Sequence, residues 1–111
     1  MLLSGQTELK DRTLAYFSDR SYAINYHDNP KYVWYYCANG ILTHTEIKET
    51  LTYPYKTYKY DTDKKLINMS LRVSKNETYI FTPEGKLIAH WIGKNCYDEN
   101  ANIVMTREIL N

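Results

Sequence analysis

The chain has 111 residues, 43% of them hydrophobic and 24% charged, with a formal net charge of +1. This is ordinary composition for one domain. It argues against disorder and supplies no global field to steer the protein onto nucleic acid or an anionic membrane. Tyrosine is the anomaly, with 12 copies against two Phe and two Trp, and an apolar ring with a polar tip suits half-buried strand surfaces.

Met1-Leu2-Leu3 runs directly into Ser4-Gly5-Gln6, so no signal-peptide core is expected, and no apolar run has the length of a membrane helix. Thr7 to about Phe17 reads as the one helical candidate, although it is short and Leu14 to Phe17 would equally begin a strand. Ser4 or Thr7 supplies a cap, Glu8 sits near the positive end of the dipole, and Leu9, Thr13 and Phe17 share a face.

From Ser21 onward the period is two, the signature of a strand. Tyr32, Trp34 and Tyr36 alternate with Val33, Tyr35 and Cys37. Ile67, Met69, Leu71 and Val73 alternate with Leu66, Asn68, Ser70 and Arg72. Leu87, Ala89 and Trp91 alternate with Ile88, His90 and Ile92. The expected strands cover about 21–26, 32–38, 41–49, 52–60, 65–73, 77–82, 86–92 and 101–107. Turns are expected over His27–Pro30 and Asn95–Asn100.

Three turns share one pattern: an aromatic residue, three residues, a turn residue, one residue, then Leu. They start at Tyr36, Tyr60 and Phe81, and Phe17-Ser-Asp-Arg20-Ser21-Tyr22-Ala23 reads as a degenerate fourth. Gly40 and Gly85 supply the positive φ of a tight hairpin, whereas Lys64 in the glycine position predicts a wider or bulged turn. Any β-meander shows such spacing, so a plain meander is preferred to a duplication. The fold expected is one mainly β domain over 1–111: an antiparallel meander of about eight strands with a short N-terminal helix, closed as a small calycin-like up-and-down barrel, with an open curved sheet carrying the helix on one face as the runner-up.

Motif chemistry is sparse. His27, His44 and His90 show neither HxH nor HxxxH spacing, and no phosphate loop, nucleophile elbow or dinucleotide fingerprint is present. His44 and Glu46 share a strand face, and Cys37 lies across the Asn39-Gly40 turn from His44. A solvated histidine and a structural thiol are the preferred readings. Cys37 and Cys96 are too few for a disulfide framework and suit a reducing, cytoplasmic compartment. The Asn68 and Asn76 sequons are read as chance. Asp98-Glu99-Asn100 with Asp61 and Asp63 lacks cation-loop spacing. Tyr53, Tyr55, Lys56, Tyr58 and Lys59 interleave rings with ammonium groups. At this net charge a protein-binding patch is preferred to a nucleic-acid surface.

Two segments resemble the S-type phycobiliprotein lyases, lipocalin-like barrels that carry open-chain bilins. Ala15-Tyr16-Phe17-Ser18-Asp19-Arg20-Ser21-Tyr22 resembles the family's early W-x-S-x-R-T strand. Tyr58 to Leu87 holds Tyr-Lys, a Leu-rich strand, Glu77 and Ile80-Phe81 in a similar order. The resemblance implies a calycin-like shape. Arginines near the second segment hold the pigment in that family, but Lys86-Leu87-Ile88 stands where an arginine-bearing strand is expected. Arg20 and Arg72 remain as carboxylate partners.

The function expected is a non-catalytic binding module for a small hydrophobic or pigment-like carboxylate. Arg20, Trp34, Tyr36, Arg72 and Trp91 would line its barrel, with no cofactor and no metal. The alternative is a small accessory protein, of the kind phages carry, that caps or inhibits a macromolecule through the Tyr53–Lys59 segment. Were it an enzyme, a lyase-like handler of chromophores is the form expected.

Overall fold

The structure, a computed structural model, describes residues 3–106, and among these no helix forms. The strands are β1 (Leu3–Glu8), β2 (Arg12–Phe17), β3 (Tyr22–Tyr26), β4 (Tyr32–Tyr36), β5 (Leu42–Lys48) and β6 (Tyr55–Asp61). They continue with β7 (Leu66–Ser74), β8 (Glu77–Phe81), β9 (Leu87–Ile92), β10 (Asn95–Tyr97) and β11 (Ile103–Thr106). All eleven join in sequence order into one sheet, each antiparallel to the next.

The expected helix over Thr7–Phe17 is instead the β1–β2 hairpin. The Leu9 N–H donates to the Arg12 carbonyl at 2.7 Å, so Lys10 and Asp11 reverse the chain. Spacing of four is compatible with a period of two as well as with a helical turn, so Thr13 and Phe17 share a strand face just as they would share a helix face. Thr, Tyr and Phe favour the strand, and β3 supplies a partner for it.

The other corrections are local. The strand expected from residue 52 begins at Tyr55, behind a bend containing the cis Tyr53–Pro54 bond. The turn expected over Asn95–Asn100 holds β10, and the reversal moves to Asp98–Asn102. The barrel does not close: among the described residues β1 pairs only with β2, and β11 only with β10. The four residues of β11 and the bulge at Leu3/Gly5 in β1 leave neither edge a long regular ladder for closure.

One turn is used five times. Its first residue donates N–H to the carbonyl of the fifth, and its fourth donates to the carbonyl of the first. It spans Phe17–Ser21, Cys37–Ile41, Asp61–Lys65, Thr82–Lys86 and Asp98–Asn102. The fourth residue always has positive φ: Arg20 at 70°, Gly40 at 86°, Lys64 at 63°, Gly85 at 89° and Ala101 at 63°. The Lys64 turn is therefore the same turn and not a wider one, with a bulge at its base between Lys59 and Tyr60. Its backbone is held by Asp61 Oδ1, which accepts from the N–H groups of Asp63 and Lys65. Asp98 and Thr82 do the same work in their turns. In the first two copies the acceptor is the third residue, Asp19 or Asn39.

Below each turn an aromatic residue faces an apolar or aromatic one: Tyr16–Tyr22, Tyr36–Leu42, Tyr60–Leu66, Phe81–Leu87 and Tyr97–Ile103. The first copy is thus aligned on Tyr16, one residue before Phe17. In the last four copies a bulge follows at once, leaving Thr43, Ile67, Ile88 or Val104 as the extra residue. All four are exposed. Each bulge moves the neighbouring residues to the other face. Leu66 therefore joins Met69 instead of Asn68, and Leu87 joins His90 instead of Ala89.

A flat sheet of eleven strands would span about 48 Å across its strands, and β2 would lie about 34 Å from β9. The molecule measures 40 × 29 × 29 Å, and Phe17 of β2 and Trp91 of β9 line one cleft. The sheet is therefore strongly curled. Its most buried residues, Ala23, Glu46, Tyr55, Thr57, Ser70, Thr78 and Cys96, all lie on the concave face by their registers. Most are small or polar, which suits the tight side of a curved sheet. Tyr32, Trp34, Tyr58, Tyr60, Met69 and Tyr79 take the roomier outer face, while Phe17, Tyr35, Tyr55, Ile80 and Trp91 remain on the concave one.

Candidate functional site

The register brings the concave residues into rows across the sheet. Tyr35 of β4 faces His44 of β5. Glu46 of β5 faces Lys59 of β6, which faces Asn68 of β7. Tyr55 faces Arg72, then Thr78, then Trp91. Between them Thr57 and Ser70 are hydrogen bonded to each other. Because Thr57 is short, Arg72 reaches across β6 to Glu46, with Nη2 to Oε1 at 3.1 Å.

This pair governs the electrostatics of the face. The Glu46 side chain is almost fully buried, at 6% exposed, while Arg72 keeps 31%. Burial pushes the Lys59 ammonium below its ordinary pKa. Glu46 opposes that shift and Arg72 adds to it. Burial lowers Lys48 too, with Arg72 repelling and Glu46 attracting it. Burial and then the Glu46 charge raise the Tyr35 phenol well above its usual range. One carboxylate thus serves three cations. Arg72 Nε is buried and has no hydrogen-bond partner.

A cleft of about 180 Å³ opens over this group. Phe17, Tyr35, Ile80 and Trp91 form its walls, and Glu46, Lys59, Asn68 and Arg72 supply its polar lining. The Lys59 Nζ lies 5.5 Å from the centre of the Tyr35 ring.

Of the ligand residues expected from sequence, only Arg72 and Trp91 meet here. Arg20 is the positive-φ residue of the first turn. Trp34 and Tyr36 lie on the outer face. There Trp34 stacks on Tyr32 at 5.6 Å and meets Tyr26 edge-on, and Tyr36 stacks on Tyr22 at 5.2 Å. The expected partner-binding residues divide as well. Tyr55 and Lys59 face the concavity, whereas Lys56 and Tyr58 point outward, Tyr58 donating to Glu49. Tyr53 is half exposed in the preceding bend. Sequence reasoning missed Phe17, Lys48, Asn68 and Ile80, because cross-strand register decides which polar residues converge.

Cys37 and His44 border a second cleft of about 260 Å³, without forming a nucleophile–base pair. The Cys37 thiol donates to Asn39 Oδ1 at 2.6 Å. The His44 ring stacks on Tyr35 at 4.3 Å, with Nδ1 against Thr43 Oγ1. Burial first, then the Lys59 charge, lowers the His44 pKa to about 4. A histidine that stays neutral when folded and takes a proton near pH 6.5 when unfolded stabilises the fold above pH 6.5. That stability falls as pH drops from 6.5 toward 4. Urea midpoints between pH 7 and pH 5 should therefore decline, and His44→Gln should flatten the decline; an unchanged slope would contradict it.

Asp61 and Asp98 belong to separate turns, and among the described residues no cluster of three metal-binding side chains forms. On the outer face His90 stacks on Tyr79 at 3.8 Å. Both His90 Nε2 and the Tyr79 hydroxyl bond to Glu77 Oε2, a mutually satisfied group. No family model, curated protein or solved structure matches the chain.

Proposed function

We propose that this chain is a non-catalytic binding module whose concave face holds a small hydrophobic ligand. The observation that carries the reading is the curl itself. It brings Phe17 of β2 and Trp91 of β9 to opposite walls of one cleft, with convergent polar groups between them. Apolar walls around a few placed polar groups are the usual make-up of a ligand site. At about 180 Å³ the opening suits a single-ring molecule and is too small to enclose a bilin.

Trp34→Phe leaves Trp91 as the only tryptophan and makes the test direct. Titration with benzyl alcohol, benzoate and phenylacetate should change Trp91 emission saturably for at least one of them. Phe17→Ala should weaken that response. A flat response to all three would remove the reading.

A further inference from the structure

We infer that the polar end of the ligand is a carboxylate, gripped by Arg72 and Lys59 at the centre of the concave face. This rests on the binding reading above. The titratable groups that face the site come from β4 to β7. β4 contributes only the Tyr35 phenol. β5 contributes His44, Glu46 and Lys48, β6 contributes Tyr55, Lys59 and Asp61, and β7 contributes Arg72. The Asp61 carboxylate is tied into its own turn by two backbone N–H groups. His44 is neutral near pH 7. Among the described residues of these strands, Glu46 and the turn-bound Asp61 are the carboxylates set against Arg72, Lys59 and Lys48, so the face carries surplus positive charge.

The hydrogen bonds point the same way. Glu46 occupies Arg72 Nη2, while Arg72 Nε is buried and unpartnered. A buried donor left without an acceptor is costly, and an anion arriving at that edge removes the cost. On that edge Nε–H runs parallel to an Nη2–H; Nη2 already donates to Glu46, so the unused donor that Arg72 offers a carboxylate oxygen is Nε–H. Lys59 lies close enough to couple electrostatically with Arg72 and makes no ion pair of its own among the described residues. Phe17, Ile80 and Trp91 then leave an apolar berth for the remainder of the molecule. A small aromatic monocarboxylate fits both ends. A phosphate brings a third oxygen and a second charge toward buried Glu46.

The test is calorimetric titration of the full chain with benzoate, phenyl phosphate and benzyl alcohol. Benzoate is expected to bind at least about tenfold more tightly than neutral benzyl alcohol, and more tightly than phenyl phosphate. Arg72→Met and, separately, Lys59→Met should each weaken benzoate at least about tenfold while leaving benzyl alcohol unchanged. Circular dichroism checks that each variant folds, and Lys59→Met carries the test alone if Arg72→Met does not. Equal binding of benzoate and benzyl alcohol overturns the carboxylate assignment but leaves the binding reading standing. So does tighter phenyl phosphate, or benzoate affinity unmoved in a folded variant. Binding of none of the three overturns both.

Discussion

Glu46→Gln is expected to destabilise the fold by about 3 kcal/mol or more, which is large for a chain whose whole stability should be on the order of 10 kcal/mol. Glu46 is buried, bonded to Arg72, and the shared counter-ion of Lys48 and Lys59. Its loss leaves three cations facing one another over Thr57. Arg72→Met should cost less, because Lys48 and Lys59 still neutralise the buried carboxylate. Glu46→Met with Arg72→Met should recover much of the single-variant loss, since a buried pair replaced by apolar residues is often close to neutral. Urea unfolding of the three variants measures this. A Glu46→Gln effect below about 0.5 kcal/mol would mean that the carboxylate is not the hub of the face.

Arg20→Gly, Lys64→Gly and Ala101→Gly together are expected to stabilise the protein by about 2 kcal/mol. The melting midpoint should rise by roughly 5–10 °C. Each residue holds the positive φ that Gly40 and Gly85 hold in the equivalent turns, and an L side chain is strained there. The gain per turn is partial, because glycine also enlarges the entropy of the unfolded chain. Gly85→Ala is the converse. No atom lies within 4 Å of an added Cβ, so its cost of about 1 kcal/mol comes from the backbone alone. If the triple variant melted at the wild-type temperature, the five turns would not be energetically equivalent.

Much of the meander was legible in the residues. The Asn39-Gly40 and Glu84-Gly85 turns announce themselves, because glycine at positive φ is a strong local signal. The copies using Arg20, Lys64 and Ala101 carry no such mark. Their shape is imposed by Asp19, Asp61 and Asp98, whose side chains bind the turn backbone. The β1–β2 hairpin was hidden because four-residue spacing suits both periods. Strict alternation also failed at each bulge, where one extra residue exchanged the faces of Leu66 and Leu87. Trp34 and Trp91 looked like equivalent cavity residues in sequence. Only the chain of registers from β4 to β9 puts them on opposite faces. Arg72 was legible as a carboxylate partner, but its pairing with Glu46 needed β6 between them and a residue as short as Thr57.

The most direct test follows the Arg72 Nε–H and the two tryptophan indole N–H resonances by NMR while benzoate is added. A concave cationic cleft predicts that Arg72 Nε–H shifts and becomes protected from exchange. Trp91 should move with it and Trp34, on the outer face, should stay still. Movement of Trp34 with Arg72 and Trp91 unchanged would contradict the account.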